Sequence, residues 1–178
     1  MLCKARHYIN LDDLKTLYYA IFSSHLIYGC QIWGQHINTF NKKAFKLQNR
    51  ALRIISFADF GAEINPLYTN LKIIKLSHQI EMQNCLFVHD ALKKVSPVCF
   101  HEYFKQTHQI HSIITKSSSL GCLYVTKTNT VRYGLNSITR TCISDWNRIS
   151  EKLNTDLTSL SRLKLKYNIK SHFLQSYS

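Results

Sequence analysis

Apolar side chains recur every three or four residues in several separate stretches of this 178-residue chain, and that spacing constrains its fold more than any other feature. The first series is Leu14, Leu17, Tyr18, Ile21, His25, Tyr28 and Ile32. Asn10 precedes it as an N-cap, and Asp12 and Asp13 fall where carboxylates meet the positive end of a helix dipole. Gly29 and Gly34 mark its weak point and its end. A second helix is expected from about Asn41 to Phe57, and Asn65-Pro66 opens a short helical turn. A third runs from about Leu76 to Val95, burying Ile80, Phe87, Val88, Ala91 and Leu92. Ser96-Pro97 ends it and starts one more turn through Phe104. Helix returns from Ser137 to Leu153, with Ile138, Cys142, Ile143, Trp146 and Ile149 on one side, and a basic helix closes the chain from about Ser159 to Gln175. Five glycines and two prolines are too few turn formers for a β-sandwich or barrel, and 45% hydrophobic residues exclude a disordered tail.

The character changes after Tyr103. No acidic residue occurs between Tyr103 and Ser144, whereas Lys105, Lys116, Lys127, Arg132 and Arg140 do. Leu123 to Thr126 and Thr130 to Tyr133 are β-branched and aromatic and flank Thr128-Asn129, a pattern for a short β-hairpin or two extended pieces. The expected fold is therefore mainly α: a helical bundle over residues 1–104, followed by a smaller basic C-terminal α subdomain over 105–178 that holds the hairpin. Residues 16 to 41 carry no charge, but Ser23, Ser24, His25, Gly29 and Gln31 interrupt them, so a buried helix is favoured over a membrane span. Lys4, Arg6 and His7 are followed by Asp12 and Asp13 without a small-residue cleavage site, unlike a secretory signal. The six cysteines form no C-x-x-C pair, which suits buried free thiols in a reducing intracellular compartment, nuclear or cytoplasmic.

Charge is the informative property. The chain has 23 Lys+Arg against 10 Asp+Glu, a net +13, which points to a polyanionic partner. Within the second helix Lys42, Lys46, Arg50 and Arg53 span about 80° of arc at 100° per residue, and Lys43 borders them. Ala44, Leu47, Ala51, Ile54 and Ile55 take the other side, and no acid interrupts the segment. Such a helix can pack one face and track phosphates with the other. An ordinary solvated face would look similar, but here no acid four residues away can tie up the cations. The terminal helix adds Arg162, Lys164, Lys166 and Lys170, scattered around its cylinder. Arg162 and Lys166, with Lys116, are candidates for secondary phosphate contacts. The rival class is a basic helical adaptor for an acidic protein or a membrane surface.

No catalytic, cofactor or metal site is expected. Asp12-Asp13 resembles a polymerase carboxylate pair only superficially, since Asn10 stands where an aromatic would and helix follows instead of strand. Cys99, His101, His108 and His111 cluster, but C-x-H and H-x-x-H are not zinc-site spacings. No nucleophile elbow or glycine-rich phosphate loop occurs.

Several segments taken together carry a family resemblance. Leu14-Lys-Thr-Leu-Tyr-Tyr-Ala-Ile, Ser24-His-Leu-Ile-Tyr-Gly29, Trp33-Gly34 and Leu47-Gln-Asn-Arg-Ala-Leu-Arg-Ile-Ile55 are followed by Pro66-Leu67 and Leu71-Lys-Ile-Ile-Lys-Leu76. His111 with Thr115-Lys116, Tyr133-Gly134, Ser137-Ile138 and Trp146-Asn147 complete a collinear set from about Lys4 to Phe173. This set resembles the region after the palm in reverse transcriptases of non-LTR (LINE, jockey-like) retrotransposons. The resemblance implies a thumb and C-terminal region in which Lys46, Arg50 and Arg53 grip an RNA–DNA template-primer. Lys116 replaces the family's Arg, and Lys lacks Arg's planar fork. The catalytic palm, a partner of this region, and the endonuclease would lie upstream of Met1, so the chain reads as a truncated copy or partial gene product without polymerase activity of its own. The purified chain, supplied with divalent metal, primed template and nucleotides, is expected to incorporate none; measurable extension would overturn that expectation.

Overall fold

The structure, a computed structural model, describes residues 2–34, 39–110, 119–125, 127, 130 and 137–177. It is mainly helical, and the described residues contain no β-strand. The chain divides into two compact units, one comprising 1–80 with 173–178 and the other 81–172. This partition differs from the 1–104 and 105–178 division drawn from composition.

The first unit opens with α1 (Leu2–Ala5) and α2 (Leu11–Leu17). Asn10 caps α2 as expected, its side-chain oxygen accepting from the Asp13 N–H at 2.9 Å, so Asp12 and Asp13 are first-turn acids. The single long helix expected next is broken into pieces. A π-helical turn at Tyr18–Ser23 leads into α3 (Ser24–Ile27), and Gly29, at φ +60°, separates it from α4 (Cys30–Trp33). A π turn spans one more residue than an α turn and moves everything after it around the axis. Leu14 and Tyr18 are therefore buried, but Tyr28 is 86% and Ile32 71% exposed, and His25 is exposed.

The long helix α5 (Thr39–Ile55) follows, then α6 (Asn65–Leu71), which starts at Asn65-Pro66 as predicted. Within this unit α5 packs against α1, α2 and α6. Cys30, Ala44, Leu76 and Ile80 form a core cluster with Leu26, Trp33 and Phe45 against it.

One buried side chain fixes the rotation of α5. Gln48 Nε2 donates to the Tyr18 hydroxyl at 3.0 Å and to the Ile74 carbonyl at 3.1 Å. Its Oε1 accepts from the Leu76 N–H at 2.8 Å and lies 3.0 Å from the Tyr68 hydroxyl, which is also 2.7 Å from Asn49 Oδ1. Burial pushes the Tyr18 phenol up to about 12 despite the opposing hydrogen bond from Gln48, and also raises Tyr68. Both hydroxyls therefore stay protonated and within the network.

The helix α7 (Leu76–Leu92) begins in this unit. The second unit, from Glu81, contains the rest of α7, a 3₁₀ turn at Val98–Phe100, α8 (Thr107–Ile110), α9 (Ile138–Leu153), a 3₁₀ turn at Leu157–Ser159 and α10 (Arg162–Gln175) as far as His172. Ile80, Met82, Cys85, Leu86, Val88 and Ala91 are buried along α7, while Phe87 and Leu92 are half-buried. In α9 Cys142, Ile143, Trp146 and Ile149 face inward as predicted, and Ile138 is half-buried. The Trp146 indole N–H donates to the Gly121 carbonyl at 3.1 Å. Asn147 grips Leu123 twice, donating to its carbonyl at 2.9 Å and accepting from its N–H at 2.7 Å. Leu123, at the start of the expected hairpin, forms an antiparallel bridge with Gln106. Residues 126, 128–129 and 131–133 of that hairpin lie outside the described residues.

Replacing Gln48 with Leu strands the buried Leu76 N–H and Ile74 carbonyl and should cost about 3 kcal/mol. A fall in the urea midpoint with unchanged slope would register it; unchanged stability would contradict the role assigned to Gln48.

Candidate nucleic-acid interface

The helix α5 contains no proline, glycine or acid, so nothing breaks it and nothing on it neutralises its cations. Ala44, Gln48, Ala51, Leu52 and Ile55 are buried. Lys42, Lys43, Lys46 and Arg50 are exposed on the opposite side, and none of them forms an ion pair among the described residues. Four unneutralised cations along one helix face can meet successive negative charges of a polyanion.

The structure departs from the sequence expectation in two respects. Leu47, assigned to the packed side, is 54% exposed, and Ile54 is only half-buried. Both line an open, largely apolar groove of about 370 Å³, whose rim includes Arg50. They flank the buried arc without entering it, because the inward direction is set by Gln48. The second departure is Arg53. It is half-buried, and its Nε and Nη2 donate to the Ala62 carbonyl at 3.3 and 3.0 Å. Its guanidinium lies 5.9 Å from the centre of the Phe60 ring. Arg53 is therefore occupied in holding the loop after α5.

The secondary candidates differ in their surroundings. Arg162 is paired with a carboxylate, Nε lying 3.0 and 3.1 Å from the two oxygens of Asp90, which removes it from the free cations. Lys166 is exposed on α10, and Lys116 lies outside the described residues. Arg148, also exposed, is held between Glu81 at 3.0 Å and Asp145 at 2.6 Å, and Asp145 accepts in addition from Asn84 at 2.7 Å. Burial raises the Glu81 carboxyl, with Arg148 opposing it.

Cys99 is exposed, and His101 Nε2 lies 2.6 Å from the Ser96 carbonyl oxygen. His111 of that cluster lies outside the described residues, and no group of three metal-binding side chains occurs among those described. Cys30, Cys85, Cys122 and Cys142 are buried and outside any disulfide as expected, but Cys3 and Cys99 are exposed because each sits on a short element at the surface. Among the described residues, no helix is long and apolar enough to cross a membrane.

Sequence reasoning missed Gln48 and the exposed aromatics beyond α5. The signal for Gln48 was an uncharged polar residue on the apolar arc between Ala44 and Leu52, which core packing tolerates only with its hydrogen bonds satisfied.

With this geometry in place, comparison with known proteins gives one direction. Over 93 residues, 52% of this chain, the sequence is 27% identical to a Drosophila melanogaster protein described as "Probable RNA-directed DNA polymerase from transposon X-element". The matched stretch spans 10% of that protein's length. The chain is thus distantly related to a transposon-encoded RNA-directed DNA polymerase. No family model matches the chain, and no solved structure matches it.

Replacing Arg53 with Ala should lower stability by about 1 kcal/mol through loss of the Ala62 contact. Replacing Lys42, Lys43 or Lys46 should leave it within about 0.5 kcal/mol. Equal thermal unfolding of all four variants would contradict the distinction.

Proposed function

We propose that this chain is a non-catalytic, nucleic-acid-binding segment of a non-LTR retrotransposon reverse transcriptase, corresponding to the thumb and the region after it. Its task is to hold the RNA–DNA template-primer for a catalytic palm. The reading is carried by the exposed face of α5, where Lys42, Lys43, Lys46 and Arg50 form no ion pair among the described residues while the opposite side is locked by Gln48. The distant relation to an RNA-directed DNA polymerase supports the same reading. The bundle assigned to residues 1–104 supplies this grip, and the basic 105–178 region adds weaker phosphate contacts, with Lys166 and Lys116 as the candidates left once Arg162 is paired with Asp90.

A rigid helix face with fixed charges binds phosphates by displacing condensed counterions, so affinity depends steeply on salt and weakly on sequence. Side chains that contact backbone phosphates alone position a duplex without reading it. Chemistry then falls to the palm, where paired carboxylates and metal ions act.

Four phosphate contacts predict a log–log slope of affinity against salt of about −3.5. A Lys46→Ala/Arg50→Ala variant should weaken RNA–DNA duplex binding at least tenfold at moderate salt and reduce that slope by about 2. Unchanged affinity in a folded variant would overturn the assignment.

A further inference from the structure

The loop that follows α5 displays two aromatic rings that packing does not require. Phe60 is 87% and Phe57 54% exposed. Phe57 also sits in an unfavourable backbone conformation. The Ala58 N–H donates to the Arg53 carbonyl at 3.0 Å and the Phe57 N–H lies 3.4 Å from the Ile54 carbonyl, the pattern of a Schellman cap. In that cap Phe57 takes the left-handed position, φ +54°, where glycine is usual. Among the described residues the other non-glycine positions at positive φ are Lys72, Lys94 and Asn154, so Phe57 is the aromatic in this set. A bulky residue in that conformation is strained, and its ring is more than half exposed.

Each ring is also held by an arginine. The Arg6 guanidinium carbon lies 5.3 Å from the Phe57 ring centre, and that of Arg53 lies 5.9 Å from the Phe60 ring centre. Arg53 fixes the loop through its two bonds to the Ala62 carbonyl, so the residue at the end of the basic stripe is the one that presents Phe60.

From this arrangement we infer that Phe57 and Phe60 form a stacking platform for unpaired nucleobases, placed where the phosphate-tracking face of α5 ends. The inference rests on the nucleic-acid reading above and adds the strand state of the ligand: a single-stranded extension leaving a duplex. The loop itself carries the exposed acids Asp59 and Glu63, so it is a poor phosphate site. Stacking uses the uncharged faces of bases and is indifferent to that charge, whereas Lys46 and Arg50 take the phosphates. An aromatic platform beside a cationic track is how single strands are held without sequence readout.

The test uses the full chain and three probes: a blunt RNA–DNA duplex, the same duplex with a single-stranded DNA extension, and that DNA strand alone. The extended duplex should bind at least about fivefold more tightly than the blunt one. Phe60→Ala and Phe57→Gly should each remove most of that advantage while leaving blunt-duplex affinity within about twofold. Phe57→Gly should also leave thermal stability unchanged or raised, because glycine relieves the left-handed cap; a purely structural role for Phe57 would lower it. Blunt-duplex binding with no gain from the extension, or a gain that survives both substitutions, overturns the platform and leaves the proposed function standing. Binding of none of the three probes overturns both.

Discussion

The side-chain amide of Gln48 is the interaction on which the first unit depends. It engages the Tyr18 hydroxyl, the Ile74 carbonyl, the Leu76 N–H and the Tyr68 hydroxyl, and so ties the π turn, α5, α6 and the start of α7 to one buried point. A buried amide with every donor and acceptor engaged resists rotation more strictly than an aliphatic side chain could, because any turn of the helix would break directional bonds in a low-dielectric interior. The basic residues of α5 lie roughly opposite Gln48 on the helix. Their exposure follows from that anchor as much as from their own hydrophilicity.

The second unit uses the same device in another place. Asn147 pairs with both backbone groups of Leu123, and Trp146 donates to Gly121, so α9 holds an irregular segment that has almost no regular structure of its own. Gly121 has φ +65°, and a side chain there would collide with Asp156. The Trp146-Asn147 pair that contributed to the family resemblance thus has a physical task in this chain. Its side-chain hydrogen bonds add to the isolated antiparallel bridge that Leu123 makes with Gln106. In both units, neutral polar side chains organise the helices, while some arginines are neutralised by carboxylates packed nearby. Arg148 and Arg162 are neutralised in this way, whereas Arg50 forms no ion pair among the described residues.

Much of the helical content was legible because apolar spacing and capping are local properties. The Asn10 cap, the Asn65-Pro66 start and the inward face of α9 depend on residues a few positions apart. The first apolar series was misleading for an equally local reason. Its spacing suits one continuous helix, but the π turn at Tyr18–Ser23 and the left-handed Gly29 rotate the later residues outward. A hydroxyl-bearing Tyr18 that must meet Gln48 holds that part of the chain, and no periodicity in its own segment reveals it. The cationic stripe was legible in four of its five members; Arg53 was not, because its partner carbonyl at Ala62 lies nine residues away in a loop whose path the sequence does not specify.

The sequence by itself determined that the chain is helical, strongly basic and furnished with one helix whose cations lack acidic neighbours along the chain. Charge and helical periodicity are additive over short segments and need no knowledge of the fold. Tertiary structure alone decided which of those cations stay in solvent, which arginines become struts, and that two phenylalanines beyond α5 are left outside. Those outcomes turn on distances between residues far apart in the chain, where one carbonyl or carboxylate within hydrogen-bond reach converts a free charge into a fixed one.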